Sequence, residues 1–169
     1  MPKVPLTLET ERLRLRQFGE GDLDDLARLN ADPAFARFIG GIKRRSDSWR
    51  QLAMLIGHWQ MRGYGWYAVT LKGDDRLIGR IGHWYPEGWP ELEVGWALDP
   101  ALWGRGYAVE GARACLEVAR ESLGLASVIS LIDPSNRASQ RVCEKLGGRP
   151  ERPFLLDGTT VDIWRTPTG

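Results

Sequence analysis

Glu91-Leu-Glu-Val-Gly-Trp-Ala-Leu-Asp-Pro-Ala-Leu-Trp-Gly-Arg-Gly-Tyr-Ala108 changes its hydrophobic period once, and that change decides the fold of this 169-residue chain. Leu92, Val94, Trp96 and Leu98 alternate with Glu91, Glu93, Gly95 and Ala97, the period of a strand. Asp99-Pro100 ends it, because a proline ring has no N–H to give to a ladder. From Ala108 the apolar positions recur at Ala112, Cys115, Leu116, Ala119 and Leu123, the stripe of an amphipathic helix.

Between strand and helix lies Gly104-Arg105-Gly106. A glycine loop running into a helix leaves several backbone N–H groups unpaired and pointing one way. The helix dipole adds positive potential, so the place suits a phosphate or pyrophosphate. The same Gly-x-Gly is equally compatible with a tight turn whose glycines are steric. Three features favour the anion. Glu93 is a carboxylate on a strand face otherwise made of Glu91, Gly95 and Ala97. The small residues there leave room for a slender ligand against the backbone. A second strand-to-helix unit follows, Ser127 to Ile132 and then Asn136 to Gly147, with its own polar helix start. Two such units in series suggest one long anionic ligand held across both.

Trp103-Gly-Arg-Gly106 followed by Tyr107-Ala-Val-Glu110, with Asn136-x-x-Ser139 and Glu144-Lys-Leu-Gly147 downstream, resembles the GCN5-related N-acetyltransferase superfamily. Leu8-Glu-Thr-Glu-Arg-Leu-Arg-Leu-Arg16 is similar to the branch of the Rim-type ribosomal-protein N-terminal acetyltransferases. The resemblance runs from about Leu8 to Arg165. It implies acetyl-CoA as co-substrate, no metal, and transfer of the acetyl group to a primary amine, a protein N-terminus among the acceptors. It also implies that the central strand and the one after it splay apart, with the acyl-CoA arm in the opening. Dimers are common in this branch, so a homodimer is an expectation of the same kind.

N-acetylation needs a neutral amine, a polarised thioester carbonyl, a leaving thiolate and an immobile co-substrate. Glu93 is the candidate base, and burial that raised its pKa would suit the task. Glu91, two residues earlier, could substitute. A backbone N–H on the strand, near Gly95 to Ala97, is expected to bond the acetyl oxygen, which places Trp96, Ala97 and Leu98 against the co-substrate. The resemblance puts the pyrophosphate on the amides of Trp103, Gly104, Arg105, Gly106, Tyr107 and Ala108. Arg105 is either its ion partner or a solvated side chain. Asn136 reads as a helix N-cap; by resemblance it faces the pantetheine or phosphate region. By resemblance Ser139 comes near the sulfur and hands a proton to the leaving thiolate. Arg137 and Arg141 are further candidates for the ribose phosphate. Three positions depart from the superfamily pattern. Ala101 stands where many members carry Gln or Arg, Cys143 where many carry a tyrosine acid, and Gly148 where Phe is usual.

The net charge of +1 argues for neither nucleic acid nor membrane as an obligate partner. There is no signal-peptide pattern and no apolar run near the roughly 18 residues a span needs. Cys115 and Cys143 match no metal or redox spacing and read as buried thiols in a reducing cytoplasm. The length suits one domain over 1–169.

Along the chain, Glu11 to Phe18 reads as a first strand, and Asp22 as the N-cap of a helix that Asp32-Pro33 closes. A second helix spans about Ser48 to Met61. Trp66 to Leu71 and Leu77 to Tyr85 make a hairpin, with Gly79 and Gly82 marking a bulge or a close backbone approach. Phe154 to Trp164 forms a last hairpin about Asp157-Gly158. With four interspersed helices this is an α+β fold with a largely antiparallel sheet. The segment Phe35 to Ile42, the second helix with Trp49 and Trp59, and the last hairpin are expected to wall the acceptor side. A non-catalytic acyl-CoA-binding sensor on the same fold is the alternative reading.

Overall fold

The computed structural model describes residues 3–169, so residues 1 and 2 of the expected unit lie outside the described residues. Eight strands share one sheet: β1 (Thr7–Glu9), β2 (Leu13–Arg16), β3 (Trp66–Leu71), β4 (Gly79–Trp84), β5 (Glu93–Leu98), β6 (Ser127–Ile132), β7 (Arg149–Leu156) and β8 (Thr159–Pro167). Their order is β1-β2-β3-β4-β5-β6-β8-β7, and every neighbouring pair is antiparallel except β5 and β6. The α+β expectation with a largely antiparallel sheet holds.

Among the described residues five α-helices flank the sheet: α1 (Leu23–Asn30), α2 (Pro33–Ala36), α3 (Arg45–Arg62), α4 (Tyr107–Glu121) and α5 (Arg137–Lys145). The expectation was four. The extra one, α2, begins where Asp32-Pro33 was read as an ending. Asp32 Oδ1 accepts from the N–H groups of Ala34 and Phe35, and proline at the first helical position needs no partner. Asp22 precedes α1 but makes no side-chain cap to it, because its carboxylate is taken by Arg16 and the Gly19 N–H. The first strand is also preceded by a three-residue strand, β1, too short to show a period.

The alternation of β2 to β5 sends side chains to two cores. One face packs Leu13, Leu15, Tyr67, Ile81 and Val94 under Ala112, Cys115 and Ala119 of α4. The other packs Trp66, Ala68 and Trp84 under Leu26, Leu29, Leu52 and Leu55 of α1 and α3. Gly79 and Gly82 mark close approach and not a bulge, since β4 pairs with β5 in unbroken register. A Cβ on Gly82 would lie 2.5 Å from Gly65 O. The bulge sits instead in β7, between Pro150 and Arg152. Asp157 and Gly158, both at positive φ (47° and 82°), turn β7 into β8.

His83 ties β4 to α4 from full burial. Its Nε2–H donates to Cys115 O at 2.8 Å, and Nδ1 has no partner among the described residues. Burial pushes the imidazole down to about 4. The unfolded chain takes up this proton near pH 6.5, so between the two values the unfolded state is the more protonated and stability rises with pH. The ring alone should remove about 2 kcal/mol between pH 7 and pH 5. Urea midpoints of the wild type should fall over that interval more steeply than those of His83→Gln; parallel slopes would refute the assignment.

Candidate active site

β5 and β6 part after one rung. Their only Cα pairing is Glu93 with Ile129, where Ile129 N–H donates to Leu92 O at 3.1 Å. In a parallel ladder the following rung would join Leu131 N–H to Val94 C=O. Side chains take both groups instead: Ser130 Oγ donates to Val94 O at 2.7 Å, and Leu131 N–H donates to Glu93 Oε1 at 3.1 Å. The fork is thus closed off by side chains at the point where the ladder stops, and its polar groups stay satisfied. β5 itself continues, paired on its other edge with β4 as far as Leu98. Backbone groups alternate in direction along a strand. Leu92 and Val94 carbonyls face β6, so the N–H groups of Trp96 and Leu98 also face the opening, while Ala97 faces Arg80 of β4.

Glu93 stands at the apex. Its Oε2 accepts from Trp89 Nε1 at 2.7 Å, and it is 8% exposed. Burial raises its pKa, and the bonds from Trp89 and Leu131 together with the charge of Arg80 offset only part of that rise. Glu91 lies before the strand and outside the cavity. Arg165 grips it at 2.7 and 3.0 Å, and that bond holds its pKa below the usual carboxylate range.

A cavity of about 580 Å³ opens beside Glu93. Its walls come from residues 37–41, Gln51 and Met54 of α3, Trp66, Trp84 and Trp89, and the β7–β8 turn. The first segment and the last hairpin wall it as expected, but Trp49 and Trp59 do not. Trp49 points outward, and Trp59 is buried against β3, donating to Trp66 O at 2.9 Å. Gly95 leaves room for a tryptophan, since a Cβ there would lie 2.5 Å from the Trp66 ring, and it also lines the cavity.

Ser139, in the first turn of α5 and in the wall of the same cavity, accepts from Trp96 Nε1 at 3.2 Å. Asn136 caps that helix, its Oδ1 accepting from Ser139 N–H at 3.2 Å. Cys143 is fully buried near Thr166 and its thiol is pushed up to about 11, so it stays protonated and inert at neutral pH. A Cβ on Gly148 would meet Thr166 Oγ1, which is why no larger residue follows Gly147.

The glycine loop leads into α4 with Gly104 and Gly106 at φ 77° and 84°, a backbone that L side chains seldom adopt. This turns the first N–H groups of a fifteen-residue helix outward. Trp103 Nε1 donates to Leu98 O at 2.8 Å and anchors the start of the loop. Sequence reasoning missed the clamp on its far end. Arg12 of the strand-leading segment donates to Arg105 O at 2.9 Å, pairs with Glu110 at 2.7 Å and lies over the Tyr107 ring. An arginine alternating with leucines reads only as a solvated face. Trp89, four residues before Glu93, and Arg80, buried on β4, were missed likewise.

The split sheet, the glycine loop at the start of α4 and the buried acid at the apex define an acyl-CoA-dependent acyl transferase. Residues 12–149 match the acetyltransferase (GNAT) domain family, and the chain belongs to it. Its members transfer an acetyl group from acetyl-CoA. The Bacillus subtilis protein YkkB is 33% identical over 170 residues, covering 95% of this chain and 91% of its own. A crystal structure of an acetyltransferase from Agrobacterium tumefaciens superposes with a TM-score of 0.84 at 32% identity, covering 98% of this chain and 95% of that one. RimL, a ribosomal-protein α-N-acetyltransferase in complex with coenzyme A, shares the fold with a TM-score of 0.78 at 17% identity, over 97% of each chain. Among the described residues no cluster of His, Cys, Asp or Glu could hold a metal ion. No helix among them is long and apolar enough to cross a membrane.

Proposed function

We propose that the chain acetylates a primary amine by direct attack, with acetyl-CoA and acceptor bound together on opposite sides of the β5–β6 fork. The observation that carries this reading is Glu93, a desolvated carboxylate at the apex of the fork and in the wall of the acceptor cavity. Bound acetyl-CoA supplies the activated thioester. The N–H groups from Trp103 to Ala108 would hold its pyrophosphate, with Arg105 beside them. The open edge of β5 at Trp96 to Leu98 would align its arm, and the Trp96 N–H is directed to polarise the acetyl carbonyl. Glu93 takes the proton of the incoming ammonium, directly or through water, and its raised pKa brings it closer to that task. Ser139, held by Asn136 and by the Trp96 indole, would return a proton to the departing thiolate. With Cys143 in the place of a tyrosine acid, no other hydroxyl is in view on that helix. Protein N-termini belong among the acceptors to be tried, alongside polyamines and other small amines.

Initial-velocity patterns for coenzyme A release test this. Intersecting lines against both substrates, with no release of coenzyme A before an amine is added, are expected. Parallel lines would contradict direct attack. Tight acetyl-CoA binding without turnover of any amine in a broad panel would make the chain a sensor.

A further inference from the structure

The cavity next to Glu93 holds a cation with no partner. Arg80 projects from β4 on the face that carries Trp84, and it is 8% exposed. Among the described residues neither its Nε nor its Nη1 has a hydrogen-bond partner, and its guanidinium lies 5.1 Å from the centre of the Trp66 ring. Arg12, Arg16, Arg28 and Arg165, by contrast, are each paired with a carboxylate. Glu93 attracts Arg80 through space, but its own oxygens are engaged by Trp89 and Leu131. Burial lowers Arg80 to about 10, which leaves it charged at neutral pH.

A second cation stands close by. The Lys43 ammonium donates to the carbonyls of Ile39 and Gly41 at 3.4 and 3.3 Å, and its pKa is lowered first by burial and then by the charge of Arg80. Asp47, whose charge acts on it in the opposite direction, is taken by Arg44 and Arg50. Arg80 is a buried cation in the cavity wall with no hydrogen-bonded carboxylate among the described residues, an arrangement that favours an anion arriving there. A planar guanidinium matches a carboxylate through parallel hydrogen bonds.

We propose that the acceptor is an amine that also carries a carboxylate, the amine presented to Glu93 and the carboxylate received by Arg80. This rests on the proposed acetyl transfer. The carboxylate is that of a free amino acid or an acidic side chain at a peptide N-terminus; both offer the same chemistry. Trp66, Trp84 and Trp89 line the same cavity as the two charges.

The test compares matched acceptors with wild-type protein and acetyl-CoA: amino acids, their carboxamides, their decarboxylated amines and aminophosphonates, together with peptides beginning in acidic or neutral residues. The acid should exceed its carboxamide by roughly 10²-fold or more in kcat/KM, and Arg80→Met should bring that ratio near one, with Arg80→Lys intermediate. Which acceptor series shows the preference separates small amino acids from peptide termini. Equal use of acid and amide by the wild type overturns the proposal, as do equal losses on both in Arg80→Met. A phosphonate preferred to its carboxylate also overturns it. A second readout does not need turnover. N-acetylamino acids, but not their carboxamides, should raise the melting temperature of the coenzyme A-bound wild type and not of Arg80→Met. Absence of that shift counts against Arg80. Its presence with no amine acetylated preserves the anion subsite and rejects acetyl transfer.

Discussion

Glu93→Gln should lower kcat by about 10²–10⁴-fold, the range lost when a positioned base is removed, while the Kd for acetyl-CoA stays close to that of the wild type. The amide keeps an oxygen for the Leu131 N–H, so the fork survives, while proton acceptance and the bond from Trp89 Nε1 are lost. Glu93→Ala removes that oxygen as well, and it should weaken acetyl-CoA binding in addition to abolishing turnover. Isothermal titration with acetyl-CoA beside steady-state kinetics separates the two effects. Unchanged kcat in Glu93→Gln would exclude this carboxylate as the base. The pH dependence carries the same sign. Only the ionised carboxylate accepts a proton, and burial has raised its pKa, so the acid limb of kcat/KM should lie above the ordinary glutamate range. Glu93→Gln should lack that limb. The raised pKa also means that ionised Glu93 opposes folding, an effect that grows as pH rises through the folded-state value and vanishes below the unfolded one.

Gly79→Ala should be the most damaging of the glycine substitutions to stability. Gly79 sits at φ 145°, and a Cβ there would overlap Ala97 O on the paired strand and lie 2.8 Å from Leu98 Cα. Both contacts are backbone, so no side-chain rotation relieves them. Backbone strain and overpacking each contribute 1–3 kcal/mol in such cases, and a loss of about 3–5 kcal/mol is expected. For a chain of this size that lowers Tm by roughly 6–20 °C. Gly104→Ala is the control: its φ is also positive, at 77°, but a Cβ there meets nothing within 4 Å. It should lose only about 1–2 kcal/mol. Equal losses in thermal unfolding would show that φ, and not contact with β5, sets the penalty.

Much of this was legible before any coordinates. The alternation from Leu92 to Leu98 and the stripe from Ala108 to Leu123 become β5 and α4, and the loop between them has its glycines at positive φ. Glu93 was singled out because a carboxylate beside small residues is conspicuous on one strand face. Arg80 was not, since an arginine between Gly79 and Ile81 looks like the polar side of a strand. Its burial follows from Trp66 on β3, Ala97 on β5 and the cover of α3, none of which is near it in the chain. Asp32-Pro33 does follow the end of α1 as expected, but the same pair also begins α2, which the reading did not include.

Hydrophobic period and turn chemistry are properties of short windows, and from them the amino-acid sequence supplied the strands and helices apart from β1 and α2. It also supplied both glutamates and put Glu93 first, but it did not show what surrounds either. Those surroundings belong to the tertiary structure: Arg165, far along the chain, holds one in an ion pair, while Trp89, Leu131 and the walls of the cavity strip water from the other. Desolvation is set by everything that packs around a group, so a carboxylate's readiness to act as a base emerges only when distant segments meet.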